Sequence, residues 1–149
     1  MEKSIDLLKK CFELENRDIK TYSPLTLAYI GDGVYDLVIR TILVSRGNCP
    51  PNKLHRMASN LVKAGAQSAM IEVLEPILTE TEEAIYRRGR NAKSYTMAKH
   101  ATMPEYRRAT GFEALMGYLY LTGQEERMTE LIKIGLEKTN GNKADRAGK

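Results

Sequence analysis

Apolar residues recur every three or four positions along most of the chain, a spacing that predicts helices and no convincing strand. The pattern predicts a first helix over residues 2–16, with Ile5, Leu8, Cys11 and Phe12 on one side. Further helices are expected over 24–46, as a pair within 52–78, and over 79–89, 104–122 and 124–138. The fold class that follows is all-α.

Residues suited to helix ends fall at several of these boundaries. Ser23 followed by Pro24 is typical of a helix start, because serine caps free backbone N–H groups and proline suits the first turn. Thr79 and Glu82 have the spacing of a capping box. A polar loop is expected over 90–103.

These boundaries divide the chain into three parts. Residues 1–23 are an N-terminal helix and linker, 24–138 the main domain, and 139–149 a weakly basic tail that we expect to be disordered. No apolar run is long enough to cross a bilayer, and the N-terminus lacks the pattern of a signal peptide, so we expect a cytoplasmic protein. The two cysteines, Cys11 and Cys49, have no metal-binding spacing and are expected to be reduced thiols.

Positive charge is concentrated in one stretch of the chain. The net charge is +4 overall, whereas residues 86–108 alone carry +6. The basic residues of this stretch are Arg87, Arg88, Arg90, Lys93, Lys99, Arg107 and Arg108. Such a stretch indicates a polyanionic partner. The simpler alternative is a solvated charged face, with some cations placed at a helix C-terminus by its dipole.

Two acidic residues stand in helices that otherwise have the composition of a core. Asp32 lies in the middle of LAYIGDGVYDLVIR, between Gly31 and Gly33. The apolar residues of this helix predict a largely buried element: Leu25, Ala28, Tyr29, Val34, Leu37 and Val38. Two glycines destabilise a helix interior by about 1 kcal/mol each, so they suggest close approach of another helix or a ligand. Glu113 lies in the apolar helix FEALMGYLYL.

A buried carboxylate needs a cation, and the pattern leaves its identity open. The two acids could converge on one Mg²⁺, which prefers oxygen ligands and retained waters. Alternatively, each could pair with an arginine, such as Arg40 for Asp32. Asp36, one turn beyond Asp32, is expected to form a salt bridge rather than bind metal.

Two segments resemble a known family of nucleases. LAYIGDGVYDLVIR resembles the signature helix of the ribonuclease III catalytic domain, and FEALMGYLYLTG resembles its second carboxylate helix, in the same order and separation. The segment EEAIYRRGRNAKS and the short chain resemble the bacterial subgroup of mini-ribonucleases III, which lack a double-stranded-RNA-binding domain. The resemblance covers about residues 24–136.

The resemblance implies an all-α endonuclease domain that acts as a homodimer on double-stranded RNA and leaves 5′-phosphate ends. It implies Mg²⁺ as cofactor, with Mn²⁺ as a substitute. For the subgroup it implies maturation of the 23S ribosomal RNA precursor at its base-paired stalk, and it leaves open a large-subunit ribosomal protein as a partner. A catalytically inactive RNA-binding factor in ribosome assembly is the alternative function.

By position, the resemblance assigns Asp32 and Glu113 as the catalytic metal ligands. It favours RNA contact for Arg87, Arg88, Arg90, Asn91 and Lys93, and extends the same patch to Lys99, His100 and Arg107. Two positions depart from the family pattern: Ala28 and Thr110 stand where full-length relatives carry acids. Each helix therefore supplies one carboxylate instead of two, and we hypothesise that the RNA substrate completes the metal site.

Overall fold

The computed structural model describes residues 2–93 and 102–139, and this part of the chain contains seven α-helices. They are α1 (Glu2–Cys11), α2 (Pro24–Ser45), α3 (Pro51–Val62), α4 (Ala64–Leu74), α5 (Glu80–Asn91), α6 (Met103–Leu121) and α7 (Glu125–Lys138). Short 3-10 segments lie at Ile19–Thr21 and Glu75–Ile77. The described ranges contain no strand, so the predicted all-α class is confirmed.

The predicted helix starts are confirmed by their caps. The Ser23 hydroxyl accepts a hydrogen bond from the Thr26 backbone N–H at 3.2 Å. The Thr79–Glu82 capping box has both of its reciprocal bonds, at 2.9 and 3.2 Å. These signals lie within a few residues of the helix ends, so local sequence is sufficient to specify them.

α6 lies at the centre of the fold and packs against α2, α4, α5 and α7. Its buried side joins one large apolar core, in which the Phe112 ring meets the Tyr35 ring edge-on at 4.9 Å. α6 is buried on several sides, which explains why its sequence shows little separation of polar and apolar faces. Its position makes α6 the element against which the other helices are placed.

Two expectations about the helices are wrong. α1 ends at Cys11 rather than at residue 16, because Glu13 adopts a left-handed backbone with φ 53° and the chain turns there. α2 is buried on one side only: Tyr29 is 82% exposed and Leu37 54% exposed. The reason is that α2 packs on α6, α3 and α5, and the contacts with these helices leave Tyr29 and Leu37 uncovered.

α5 and α7 are tied together by a buried ion pair. Glu82 is 4% exposed, and Arg127 donates to its two carboxylate oxygens through Nε and Nη2, each at 2.9 Å. The same Nη2 donates to the Ile77 carbonyl oxygen at 2.9 Å. A carboxylate removed from water in this way is satisfied by a fixed guanidinium.

None of the helices in the described part of the chain has the length and apolar character needed to span a membrane.

Candidate active site

The site is built where α2 crosses α6 with almost no space between the backbones. A β-carbon on Gly31 would overlap the backbone carbonyl of Glu113, and one on Gly117 would overlap the carbonyl of Leu27. Glycine at both positions therefore lets the helices touch through their main chains. This contact sets the next residue of α2, Asp32, beside Glu113.

The two glycines that flank Asp32 have different surroundings. Gly31 is buried against α6, whereas a β-carbon on Gly33 would meet nothing within 4 Å. The sequence left open whether the glycines admit a helix or a ligand. Gly31 admits a helix, and Gly33 leaves open space on the solvent side of Asp32.

Glu113 and Asp32 interact as carboxyl groups. Asp32 is exposed and only Glu113 is largely removed from solvent, so the expectation of two buried acids is wrong for Asp32. Burial raises the pKa of Glu113 to about 8, and the neighbouring Asp32 contributes in the same direction through a hydrogen bond and charge repulsion. Gln67 acts in the opposite direction by hydrogen bonding to Glu113. Glu113 therefore keeps its proton near neutral pH, and a bound cation would favour its ionised form.

Gln67 is a residue of this site that sequence reasoning missed. It is 2% exposed, and its side-chain amide donates to the Val62 carbonyl oxygen at 2.9 Å. Its Oε1 is buried without a hydrogen-bond partner in the described part of the chain. The only sequence signal was a glutamine within the otherwise apolar stretch AGAQSAMIEVL of α4.

The donor set fits a divalent cation, with few protein ligands. Asp32 and Glu113 supply oxygens from two helices, and the Gln67 Oε1 is an unsatisfied oxygen nearby. No group of three or more His, Cys, Asp or Glu side chains among the described residues could hold a metal. Two carboxylates and retained waters form a sparse but chemically suitable set for Mg²⁺.

The two positions that depart from the family pattern hold small buried residues. Ala28 and Thr110 are each 7% exposed. The Thr110 hydroxyl donates to the Tyr106 carbonyl oxygen at 3.0 Å, one turn back in the same helix. Thr110 is thus occupied within its own helix.

The alternative of an arginine partner for Asp32 is not what the structure shows. Arg40 pairs with Asp36 at 2.9 Å, so the expected salt bridge of Asp36 is confirmed. Neither Asp32 nor Glu113 takes part in an ion pair between described residues. This leaves the pair available to an external cation.

The predicted RNA-contacting residues that the structure describes do not form one cluster. Arg87 pairs with Glu83 at 2.9 Å on the exposed side of α5. Arg88 lines a different cleft, beside Ile19 and Tyr118. Only Arg90, Asn91 and Arg107 come together, in a pocket that they share with Arg108, Tyr86 and Glu75. Lys93 is exposed, and Lys99 and His100 lie outside the described residues.

Comparisons with known proteins show which family the chain resembles. Residues 25–124 match the family model described as the ribonuclease III domain. The chain is 52% identical over 124 residues to a protein named Mini-ribonuclease 3 from Enterococcus faecalis, which covers 82% of this chain and 94% of the relative. It is 44% identical over 138 residues to Mini-ribonuclease 3 from Thermoanaerobacter, covering 92% of this chain and 97% of the relative.

A solved structure shares the fold. A crystal structure of a protein from Fusobacterium nucleatum is 32% identical, with a TM-score of 0.74, over 82% of this chain and 99% of the other. Members of the ribonuclease III family use divalent metal ions and act on double-stranded RNA. From the matched residues, the relatives and the shared fold together, the chain belongs to the ribonuclease III family of endoribonucleases, within its mini-ribonuclease 3 branch.

Proposed function

We propose that this chain is a metal-dependent endoribonuclease whose active site is the Asp32–Glu113 pair, within a catalytic domain that spans residues 24–138. The observation that supports this assignment is the pairing of Asp32 with Glu113, whose pKa is raised to about 8 by burial first and by Asp32 second. A bound cation would favour the charged form of Glu113, and the ion pairs between described residues give neither acid an arginine or lysine partner.

Each residue of the site has a separate task. Asp32 and Glu113 hold the cation, which we assign as Mg²⁺ with Mn²⁺ as a substitute. When bound, the cation supplies an activated water and stabilises the leaving oxygen of the phosphodiester. Glu113 would hold the cation as a carboxylate, its proton having passed to solvent, and Gln67 hydrogen bonds to the Glu113 carboxyl from the α4 side.

The sparse ligand set implies that substrate completes the metal site. With Ala28 and Thr110 in place of acids, a phosphate oxygen of the RNA is the natural further ligand. Calorimetric titration of Mg²⁺ into the protein, with and without a non-cleavable duplex RNA, tests this. We expect tighter Mg²⁺ binding with the duplex, and equally tight binding in both cases contradicts the idea.

We propose that duplex RNA contacts polar and basic side chains at the end of α5 and the start of α6. Arg90, Asn91 and Arg107 line one pocket there. Arginines dock on phosphate oxygens, and proteins recognise duplex RNA largely through its backbone and shape. Arg87, Arg88, Lys93 and Lys99 remain candidate contacts. Binding should therefore weaken steeply as salt concentration rises.

We propose a homodimer in which two copies meet through the exposed face of α2. Tyr29, Leu37 and Val44 lie along this face and are 82%, 54% and 60% exposed. Beside them, an apolar groove of about 430 Å³ runs between α2 and α7. Such a contiguous apolar surface on a small protein is typical of an interface.

The test of the dimer is molar mass in solution. Leu37→Lys should convert a species of twice 16.8 kDa into a monomer. The control is Leu7→Lys, since Leu7 is similarly exposed at 61% but lies on α1. A wild-type protein that is monomeric at micromolar concentration contradicts the dimer.

The proposed substrate is the base-paired stalk formed by the ends of the 23S ribosomal RNA precursor, a role that belongs in the cytoplasm. The support is the similarity to proteins named Mini-ribonuclease 3. Incubation with a synthetic stalk, followed by end mapping, should show one cut in each strand with 5′-phosphate ends. Repeating it with large-subunit ribosomal proteins tests whether such a partner is needed.

The experiment that tests catalysis compares two aspartates of α2. Asp32→Asn should abolish cleavage of labelled duplex RNA in Mg²⁺ while binding remains. Asp36→Asn is the matched control, because Asp36 pairs with Arg40 one turn away and should retain cleavage. If the wild-type protein binds the duplex but cleaves no RNA with any divalent metal, the inactive RNA-binding factor is the correct function. The observation that favours this alternative is that Ala28 and Thr110 stand where full-length relatives carry acids.

A further inference from the structure

The polar pocket that Arg90 and Arg107 share lies between the end of α5 and the start of α6. It has a volume of about 340 Å³ and is lined by the side chains of Arg90, Arg107, Arg108, Tyr86 and Glu75, with Asn91 at its edge. None of the ion pairs between described residues involves any of these three arginines. The pocket therefore holds three guanidinium groups, and none of them forms an ion pair with a carboxylate of the described residues.

The Tyr86 hydroxyl at this pocket has no well-formed hydrogen bond among the described residues. Tyr86 is fully buried, and its hydroxyl oxygen meets no partner at full hydrogen-bond geometry there, although the neighbouring Arg90 guanidinium is a donor that acts to lower the pKa of the phenol. Burial is the main cause that raises the pKa of this phenol, so the hydroxyl keeps its proton and remains a donor at neutral pH. A buried hydroxyl without a partner is unfavourable unless a ligand or water completes it.

Two of the arginines are held in place from behind. Arg108 donates through Nε to the Ser68 hydroxyl at 2.6 Å, and Ser68 is itself buried. Arg90 donates through Nε to Asn91 at 3.3 Å, and its guanidinium lies over the Tyr86 ring, 5.6 Å from the centroid. With Nε used by the protein, the terminal nitrogens of both arginines remain as donors for a bound group.

The charge of the pocket selects an oxyanion. Three arginines and Glu75 give the lining a net charge of +2. The helix ends at the rim oppose each other, since α5 ends there and α6 begins there, so the side chains dominate. Arginine donors together with a phenol suit phosphate oxygens, and a net charge of +2 matches a phosphate monoester dianion.

We propose that this pocket binds a single phosphate group, either free phosphate or a phosphate of an RNA strand, with the Tyr86 hydroxyl as a donor to it. The pocket is separate from the carboxylate pair, because Arg108 and Glu113 are five residues apart on α6, about 7.5 Å along the axis and on different sides of it. The RNA source of the phosphate rests on the proposed function. The pocket would then fix the RNA at a set distance from the cut.

The first test uses inorganic phosphate and the full-length protein without metal. Phosphate should raise the melting temperature of the wild-type protein, and calorimetry should give an affinity that falls about tenfold in Tyr86→Phe and in Arg107→Gln. Arg40→Gln is the control for loss of one arginine, and it should bind phosphate as wild type does. If phosphate does not bind, or binds equally to Tyr86→Phe and Arg107→Gln, the proposal is wrong.

A matched pair of tyrosines keeps this test interpretable. Tyr35 is also fully buried, but its hydroxyl donates to the Leu61 carbonyl oxygen at 3.4 Å. Without phosphate, Tyr86→Phe should leave the melting temperature unchanged or higher, because it removes an unsatisfied hydroxyl. Tyr35→Phe should lower it and leave phosphate affinity unchanged. A lowered melting temperature only in Tyr86→Phe means that the hydroxyl has a protein partner, which contradicts the proposal.

The second test separates the two sources of phosphate. Binding of a short duplex RNA with 5′-phosphate ends is compared with the same duplex carrying 5′-hydroxyl ends, in Asp32→Asn protein to prevent cutting. A preference for the 5′-phosphate that disappears in Tyr86→Phe identifies a strand end as the ligand. Equal binding that weakens in Tyr86→Phe identifies an internal phosphodiester, and no effect of Tyr86→Phe on either duplex leaves free phosphate as the only ligand. Because phosphate binding is measured without cleavage, it fails or succeeds independently of the Asp32–Glu113 assignment.

Discussion

Glu82 and Glu113 are both glutamates in helices that pack on the core, and the fold shifts their pKa values in opposite directions. Each lies in a helix that contacts the core, and each is largely removed from water. Arg127 bonds to Glu82 and lowers its pKa, whereas burial and Asp32 raise the pKa of Glu113 to about 8. The first carboxylate is satisfied by the protein itself, and the second is not. The difference identifies which of the two is available for chemistry.

The largest effect expected from this comparison is on cleavage. Glu113→Gln removes one metal-holding carboxylate and should lower the cleavage rate by about a thousandfold or more. The measurement is single-turnover cleavage of duplex RNA at saturating protein. Glu82→Gln should retain most of the cleavage rate under conditions where it is folded, since Glu82 faces Arg127 and not the site. Comparable losses in both variants would remove the distinction between the two acids.

The second prediction concerns the contact that brings Asp32 to Glu113. Gly31→Ala places a methyl group against the Glu113 backbone, which cannot move without shifting α6. It should lower the free energy of unfolding by about 3 kcal/mol or more and abolish cleavage. Gly33→Ala is the matched control, because its methyl group meets open space and should raise stability by up to about 1 kcal/mol. Denaturant unfolding measures both, and a stable Gly31→Ala protein would contradict the close contact.

The third prediction tests the satisfied carboxylate. Arg127→Met leaves Glu82 buried without its partner, so the free energy of unfolding should fall by about 3 kcal/mol. For Glu130→Gln, the free energy of unfolding should change by less than about 0.5 kcal/mol, because Glu130 is 57% exposed and pairs with Arg127 at the surface. Denaturant unfolding measures both variants. If the two variants are equally stable, the Glu82 pair contributes no more than a surface ion pair.

The smallest effects are those of pH, and they have opposite signs for the two acids. The folded pKa of Glu113 is raised, so its contribution to stability is present below about pH 4.5 and is lost as pH rises through about 8. The folded pKa of Glu82 is lowered, so its contribution is present at neutral pH and is lost as pH falls below about 4.5.

Metal-free protein should therefore lose roughly 2 kcal/mol of stability between pH 5 and pH 9 through Glu113, a value reduced from the full linkage because the side chain retains some contact with solvent. Glu113→Gln should remove this loss on the alkaline side. Glu82→Gln should instead reduce the loss on the acidic side. Urea unfolding at several pH values measures how the free energy of unfolding depends on pH in each variant. If this dependence is the same for wild type and Glu113→Gln above pH 5, Glu113 does not have a raised pKa.

Part of this site could be recognised before the fold was known. Asp32 and Glu113 stood out as acids in apolar helices, and the glycines beside Asp32 indicated a close approach. Gln67 could not be assigned in this way, because a single glutamine in α4 does not indicate a contact with Glu113 until α4 is packed against α6. The grouping of Arg90 with Arg107, and the separation of Arg87 from both, likewise depend on how α5 meets α6.

Local sequence specifies the all-α class, the helix caps at Ser23 and Thr79, and the two unusual acids, because each of these signals acts within one or two turns of the chain. Tertiary packing pairs Glu82 with Arg127, 45 residues away, and Glu113 with Asp32. It also decided that one face of α2 stays exposed. Helical periodicity specifies that a face is apolar, but the packing of distant segments determines what covers it.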